Sequence, residues 1–263
     1  MKDKPHLSPS SITQYMKCSA QYMFKKIIGP TPPTIALLYG KSIDEAINVD
    51  LEQKIETRED LPVDDLKDAF VTGWDEGKQL TLFHSNDKPE ELREIGVKSI
   101  EHWHKDIANS VQPSHVQEKL FVEFEDFDYN ILQFADVITE DRVIIDNKTA
   151  GRSITEKNGI ISVPHDHRLQ LTLYDIGFKV NYGKEPTELG LDYLIKNKTP
   201  KSQRTRWKPN KTDKNYALTL FKGVAKGIDN ETYIPNRSHF MCSKRFCAYW
   251  KECESNFGGK VKE

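Results

Sequence analysis

Acidic and basic residues interrupt two apolar runs in the middle of the chain, between residues 130 and 150. Asp146 and Lys148 lie two positions apart, so on a β-strand both side chains project from the same face. If the preceding turn consists of residues 140–142, antiparallel pairing sets Asp136 opposite Asp146 on that face, whereas a turn one residue shorter would spoil the register. Neighbouring carboxylates repel each other unless a cation lies between them, and rigidly held oxygen ligands suit Mg²⁺ or Mn²⁺. The spacing therefore predicts a metal site, with the ammonium group of Lys148 able to stabilise charge on a phosphate.

A further polar pair follows this segment. Gln170 and Tyr174 have the spacing of one helical turn, which places both on the same face of a helix. Each motif taken alone also has an ordinary explanation. An isolated Asp-x-Lys is most often a surface ion pair, and Gln170 and Tyr174 would most often be a surface amide and a half-buried aromatic ring.

Taken together, these motifs resemble the PD-(D/E)XK nuclease superfamily. VIIDNKT resembles its (D/E)-x-K half-motif, with Asp136 as the upstream Asp, and QLTLY is similar to the Q-x-x-x-Y helix motif of RecB-like members. The resemblance implies an α/β, restriction-endonuclease-like core, a central mixed sheet flanked by helices. It also implies that Asp136, Asp146, Lys148, Gln170 and Tyr174 are catalytic and that the two aspartates bind Mg²⁺ or Mn²⁺.

The four cysteines are distributed as Cys18 near the start and Cys242-x4-Cys247-x5-Cys253 near the end. In a reducing compartment, metal ligands or buried thiols are more common than disulfides. The distribution is similar to that of the iron-sulphur branch of the family, which includes CRISPR-adaptation-type proteins and phage exonucleases, and it implies a [4Fe-4S] cluster in a C-terminal cap. The common family spacing begins with x2 rather than x4. Structural Zn²⁺, or thiols without a ligand, remain alternatives.

Asp44 is a candidate third metal ligand. Family members usually carry Gly-x-x-x-His near the start of the second helix, with the histidine on the metal, and this chain has Gly40 followed four residues later by Asp44. A carboxylate can still bind a hard cation. The alternative interpretation of Asp44 is an exposed residue on the flank of a helix.

A basic segment, residues 196–214, holds eight Lys and Arg against one Asp, although the net charge of the chain is only −2. Cationic side chains around a tryptophan are typical of a surface that neutralises phosphates and stacks a base. The candidate DNA contacts are Lys201, Arg204, Arg206, Trp207 and Lys208. The alternative is a solvated, mobile loop. His165 and His167, just ahead of Gln170, are candidates to face the substrate, but the favoured interpretation is that they are solvated residues in the first turn of a helix.

The apolar periodicity predicts the elements that position these residues. Helices are predicted over 10–28, from about 37, over 63–78, 90–107, 166–180 and 216–228, and strands over 116–124, 129–139, 142–149 and 189–195. We interpret residues 1–263 as a single nuclease domain, with a helical insertion at 61–107 and a cysteine cap at 236–263 joined to the first helix through Cys18.

The composition is that of a folded protein, with 37% hydrophobic and 30% charged residues. The sequence lacks both the run of about 20 apolar residues that spans a bilayer and an apolar leader, so we expect a cytoplasmic protein without a membrane partner. The leading hypothesis is a metal-dependent DNA nuclease, specifically an exonuclease that prefers single strands or free ends. The alternatives are a catalytically weak DNA-binding or scaffolding module of a recombination, replication or CRISPR adaptation complex, and a zinc-stabilised structural protein.

Overall fold

The computed structural model describes residues 4–157 and 160–263, and these form two compact units. The first unit comprises the chain up to Thr31, Phe121–Gln133 and Asn210–Glu263; the second comprises Pro32–Leu120 and Phe134–Pro209. The helices are α1 (Pro9–Lys17), α2 (Ser19–Ile28), α3 (Ile35–Thr57), α4 (Val63–Lys78), α5 (Pro89–Asp106), α6 (His165–Tyr182), α7 (Lys211–Asp229) and α8 (Trp250–Phe257). The strands are β1 (His6–Leu7), β2 (Pro113–Val122), β3 (Asn130–Thr139), β4 (Val143–Ala150), β5 (Glu156–Lys157), β6 (Ile160–Ile161), β7 (Glu188–Ile195) and β8 (Lys201–Trp207).

The second unit is built on a mixed sheet. From Phe134 onward β3 runs antiparallel to β4, β4 runs parallel to β7, and β7 runs antiparallel to β8. One face of the sheet, with Ile145 and Leu194, packs against α3, α4 and α5. The other face, with Ile144 and Leu191, packs against α6. Because alternate residues of a strand face opposite sides, both faces are buried by helices, and the predicted α/β architecture is confirmed.

The helices of segment 61–107 are held by large aromatic side chains. Phe70, Trp74 and Trp103 are all buried in one core with the apolar face of α3. Gly96 on α5 lies against the ring of Phe70 so closely that a Cβ atom would overlap it. The prediction that this segment is helical is therefore confirmed, and its two helices share the core of the sheet rather than forming a core of their own.

The first unit contains α1, α2, α7 and α8. Ser8 caps α1 and Pro9 occupies its first turn. The prediction of one helix over residues 10–28 is wrong, because Cys18 has an extended backbone (φ −163°, ψ 100°) that ends α1 and starts α2. In this unit β1 runs parallel to Asn130 and Ile131.

The expectation of a loop over the basic segment is also wrong. Residues 201–207 form β8, which pairs along the whole of its length with β7, from Leu189 opposite Trp207 to Ile195 opposite Lys201. The charges obscured the alternation of the strand, although its partner β7 directly precedes it in the chain and satisfies its backbone hydrogen bonds. Among the described helices, none combines the length and the apolarity needed to span a bilayer.

Candidate active site

The hairpin of β3 and β4 sets the register of the two central aspartates. β3 ends at Thr139 and β4 begins at Val143, so the turn has the predicted length. Arg142 adopts a left-handed conformation (φ 63°), a feature of hairpin loops of this length. Val137 pairs with Ile145 and Ile138 with Ile144, and continuing this register places Asp136 opposite Asp146 on the face that meets α6. The predicted register is confirmed.

The two carboxylates have different partners. Asp146 is 0% exposed, its Oδ2 contacts the amine of Lys148, and its Oδ1 accepts a hydrogen bond of 3.0 Å from Nε2 of Gln170. The carboxylate of Asp136 accepts a bond of 3.1 Å from the backbone N–H of Asn147. Gln170 also donates from Nε2 to the hydroxyl of Tyr174 at 2.6 Å. The structure thus brings together Asp136, Asp146, Lys148, Gln170 and Tyr174, the residues of the predicted strand and helix motifs.

Burial makes this network electrostatically unbalanced. Burial, and after it the charge of Asp136, raises the pKa of Asp146 to about 7, although Lys148 opposes this shift. Burial likewise raises the pKa of Asp136, against Lys148 and the N–H of Asn147. Burial alone would lower the pKa of Lys148, but Asp146 and Asp136 outweigh it and raise that pKa. The site therefore holds a protonated lysine and excess negative charge, which suits a divalent cation.

Asp44, from α3, belongs to the same charge cluster. Burial raises its pKa well above the ordinary value, and Asp136 and Asp146 add to this effect while Lys148 opposes it. Within the described part of the chain, no group of three or more His, Cys, Asp or Glu side chains has the arrangement of a metal site. Mg²⁺ usually takes only one or two protein carboxylates together with water, so the facing pair Asp136 and Asp146 fits such an ion.

Two partners of the site were missed by the sequence analysis. Gln117, in a left-handed conformation on β2 (φ 51°), donates from Nε2 to Oδ1 of Asp136 at 3.5 Å, and no local pattern indicates it. His167, which we expected to be solvated, is half-buried with its Nδ1 2.7 Å from the hydroxyl of Tyr193. His167 precedes Gln170 by three residues, and that helical spacing was the signal available.

Comparisons with known proteins identify this arrangement. The sequence matches the model of the PD-(D/E)XK nuclease superfamily over residues 6–254. The chain belongs to this superfamily. A solved structure from Eubacterium rectale, described provisionally as an exonuclease, aligns with a TM-score of 0.62 at 12% identity, over 97% of this chain and 89% of that chain.

The Eubacterium rectale structure shows a shared fold alone, because the sequence identity is low. The alignment with a second solved structure, SSO0001, covers 95% of this chain and 98% of that chain at 13% identity. Its TM-score of 0.37 is too low to indicate a shared fold. No curated protein matches the chain in sequence.

The basic candidates lie on opposite faces of β8. Arg204 and Arg206 share a face with the buried Asp192, and Oδ1 of Asp192 lies 3.2 Å from Nε of Arg204 and 2.6 Å from Nη1 of Arg206. The ring of Trp207 packs at the edge of the core on the face towards α6. Lys201 and Lys208 are exposed. The structure therefore separates the exposed lysines from arginines that neutralise a carboxylate inside the unit.

The four cysteines line a single small cavity of the first unit, about 40 Å³ in volume. All four are free thiols. Burial raises the pKa of Cys247 and of Cys253, and the neighbouring cysteines contribute further increases, so the four sulfurs lie within electrostatic reach of one another. Sγ of Cys18 accepts a bond of 3.5 Å from the backbone N–H of Asn236. The spacing of the cysteines predicted that the four would lie together, but it gave no signal for the N–H donor from Asn236.

The raised pKa of Asp146 predicts how the stability of the metal-free protein depends on pH. A carboxyl whose pKa is higher in the folded state favours folding below its unfolded pKa and loses that contribution as pH rises towards about 7. The free energy of unfolding of the wild type, relative to Asp146→Asn, should therefore fall by on the order of 3 kcal/mol between pH 4 and pH 8. Urea unfolding in EDTA measures this difference. A difference that is flat across this range would contradict the assigned charge cluster.

Proposed function

We propose that the protein is a metal-dependent deoxyribonuclease that hydrolyses phosphodiester bonds, acting as an exonuclease on single-stranded DNA or free DNA ends. The observation that carries this proposal is the fully buried Asp146, facing Asp136 and joined to both Lys148 and Gln170. Membership of the PD-(D/E)XK superfamily supports nuclease chemistry. The preference for ends and single strands has weaker support, namely the family resemblance and the shared fold with the Eubacterium rectale protein described as an exonuclease.

Asp136 and Asp146 are the proposed ligands of Mg²⁺ or Mn²⁺, and Asp44 is the proposed additional ligand in place of the family's histidine. When bound, such an ion lowers the pKa of water and stabilises charge on the scissile phosphate. Asp146 holds the amine of Lys148 in place, and the raised pKa of Lys148 keeps that amine protonated, so that it can donate to a phosphate oxygen. Gln170 fixes one oxygen of Asp146, and Tyr174 fixes Gln170. Both helix residues therefore position the carboxylate.

Loss of single charges should separate this function from its alternative. We expect Asp136→Ala, Asp146→Ala and Lys148→Ala each to reduce cleavage of end-labelled single-stranded DNA by more than about a hundredfold, since each removes charge that stabilises the transition state. Asp44→Ala should lose most of the activity with both ions, whereas Asp44→His should retain activity and shift the preference towards Mn²⁺, because imidazole suits softer ions.

Asp141→Ala is the matched control, because this aspartate is exposed in the turn beside β4. Its activity should equal that of the wild type. A wild type that binds DNA but cleaves neither end-labelled single nor double strands with Mg²⁺ or Mn²⁺ would favour the second candidate. The second candidate is a DNA-binding or scaffolding module of a recombination, replication or CRISPR adaptation complex. It is considered because Asp44 stands where the family usually has a histidine.

Cys18, Cys242, Cys247 and Cys253 are the proposed ligands of a [4Fe-4S] cluster, with structural Zn²⁺ as the alternative. Their common cavity and mutual influence on pKa support a shared cation, because four neighbouring thiolates would otherwise repel one another. The N–H groups directed at sulfur, from Asn236 to Cys18 and from Gln21 to Cys247, are the kind of bonds that surround iron-sulphur centres.

Replacing any one of these cysteines by serine should lower the iron content and the unfolding temperature, the latter by about 5 °C or more, because the cluster would join both ends of the first unit. Elemental analysis and visible absorbance of anaerobically purified protein measure the metal, and calorimetry measures the stability. Ser243→Ala, beside Cys242, is the control and should keep the metal. Stoichiometric zinc without iron would contradict the cluster and support structural Zn²⁺ at the four cysteines.

The exposed lysines around β8 are the proposed DNA contacts of this strand, together with Arg204, Arg206 and the exposed edge of Trp207. The two arginines can contribute only while they also neutralise Asp192, which is 1% exposed. Replacing them would leave a buried carboxylate without partners, a change that costs about 3–5 kcal/mol. The lysines carry no such structural role, so they offer the cleaner test.

Lys201→Gln together with Lys208→Gln should weaken binding of single-stranded DNA and flatten its salt dependence. Each lost phosphate contact removes about 0.7 from the slope of log affinity against log salt, so the pair should remove about 1.4. Fluorescence anisotropy in EDTA measures the slope. Arg204→Gln with Arg206→Gln is the comparison, and it should lower the urea midpoint, which the lysine pair should not change. An unaltered slope in the lysine variant would remove β8 from the DNA contacts.

A further inference from the structure

An open cavity of about 490 Å³ lies directly beside the proposed catalytic groups in the second unit. Lys41, Asp44 and Lys148 form the charged part of its wall, and Leu37 and Leu80 belong to the apolar part. Leu37, Lys41 and Asp44 follow one another at helical spacings of four and three residues, so they form one stripe of α3 along the cavity. The stripe changes from apolar to charged towards the catalytic groups.

The apolar wall is fixed by the core beneath it. A Cβ atom at Gly77 would lie 2.5 Å from Cδ1 of Leu38, so glycine allows the end of α4 to lie against α3. The backbone N–H of Leu82 donates to the carbonyl of Pro33 at 2.9 Å, which ties the segment after α4 to the start of α3. This tie fixes the position of the segment after α4, of which Leu80 and Thr81 line the cavity.

Two large apolar side chains on this wall remain in solvent. Leu37 is 60% exposed and Leu80 is 74% exposed, although the neighbouring Leu38 is buried. Exposed apolar side chains that line the same cavity indicate a ligand-binding surface. The ligand must combine an anionic group, for Lys148, with a flat apolar group, for the leucines.

An unpaired nucleotide has these two parts. Its phosphate is the group that Lys148 and the bound cation are proposed to act on, and its base offers apolar faces that lack stacking partners once the strand is single. A base inside a duplex is already stacked on both faces and would have to be unpaired and unstacked before it could enter the cavity. A cavity of this volume lies within the range of about 300–1,000 Å³ usual for small-ligand pockets.

We propose that Leu37 and Leu80 form a base-binding subsite for the unpaired nucleotide next to the scissile phosphate. This inference rests on the proposed nuclease function and deepens it: the helices of segment 61–107, through the end of α4, select single-stranded ends over duplex. The contact is to the base face, so it does not discriminate between bases.

Abasic substitution tests this subsite. Single-stranded oligonucleotides carrying one tetrahydrofuran abasic residue at each of the three terminal positions in turn are compared with the intact strand, both in cleavage with Mg²⁺ and in binding in EDTA. At one position the wild type should lose about tenfold in affinity and in kcat/KM, the size expected for an apolar contact. Leu37→Ser with Leu80→Ser should bind the intact strand about tenfold more weakly and should no longer distinguish it from the abasic strand.

Leu82→Ser is the matched control, since Leu82 is 53% exposed on the same segment but does not line the cavity. It should behave as the wild type in both measurements. If the leucine pair still distinguishes intact from abasic strands as the wild type does, or if the wild type makes no distinction at any position, the subsite is overturned. The binding measurement decides this even if no DNA is cleaved, and absence of cleavage alone would contradict only the proposed function.

Discussion

The pairing register of β3 and β4 is the constraint on which the site depends. A slip by one residue would turn Asp136 to the opposite face from Asp146, because side chains alternate along a strand. The left-handed turn residue Arg142 and the apolar pairs Val137–Ile145 and Ile138–Ile144 oppose such a slip. Since these pairs face different cores, a slip would move apolar side chains from one core to the other and disrupt the packing on both sides of the sheet.

The same register concentrates charge where the protein is least able to solvate it. Lys148 compensates one carboxylate, and hydrogen bonds from Gln170, Gln117 and the N–H of Asn147 hold the remaining oxygens. The raised pKa of Asp146 shows that these contacts do not fully offset burial. Replacing the buried carboxyl of Asp146 by an apolar group would favour the stability of the fold. Its presence in the core therefore indicates a role in function rather than in folding.

A structural feature could be predicted from the sequence where a clear local pattern of residues determines it. The β3–β4 hairpin and the Gln170–Tyr174 pair were predicted because alternation and helical spacing are local signals. The strand β8, the break at Cys18 and the contact of Gln117 with Asp136 were not, because the charged residues of β8 mask its alternation and the other two depend on a single unusual backbone conformation. Arg204 and Arg206 illustrate the limit for function: their charges were visible, but their engagement with Asp192 required the register of β7 and β8.

The helix α3 links these features physically. Its buried side, with Ile43 and Ile47, packs in the core with Phe70 and Trp74 of α4, so the position of α3 is set by the helices of segment 61–107. Its other border carries Asp44 towards the aspartate pair. A change in the packing of α4 would therefore move a proposed metal ligand as well as the cavity wall. This coupling is a consequence of the core that segment 61–107 shares with the sheet. A segment with a separate core could shift without disturbing the site, and this one cannot.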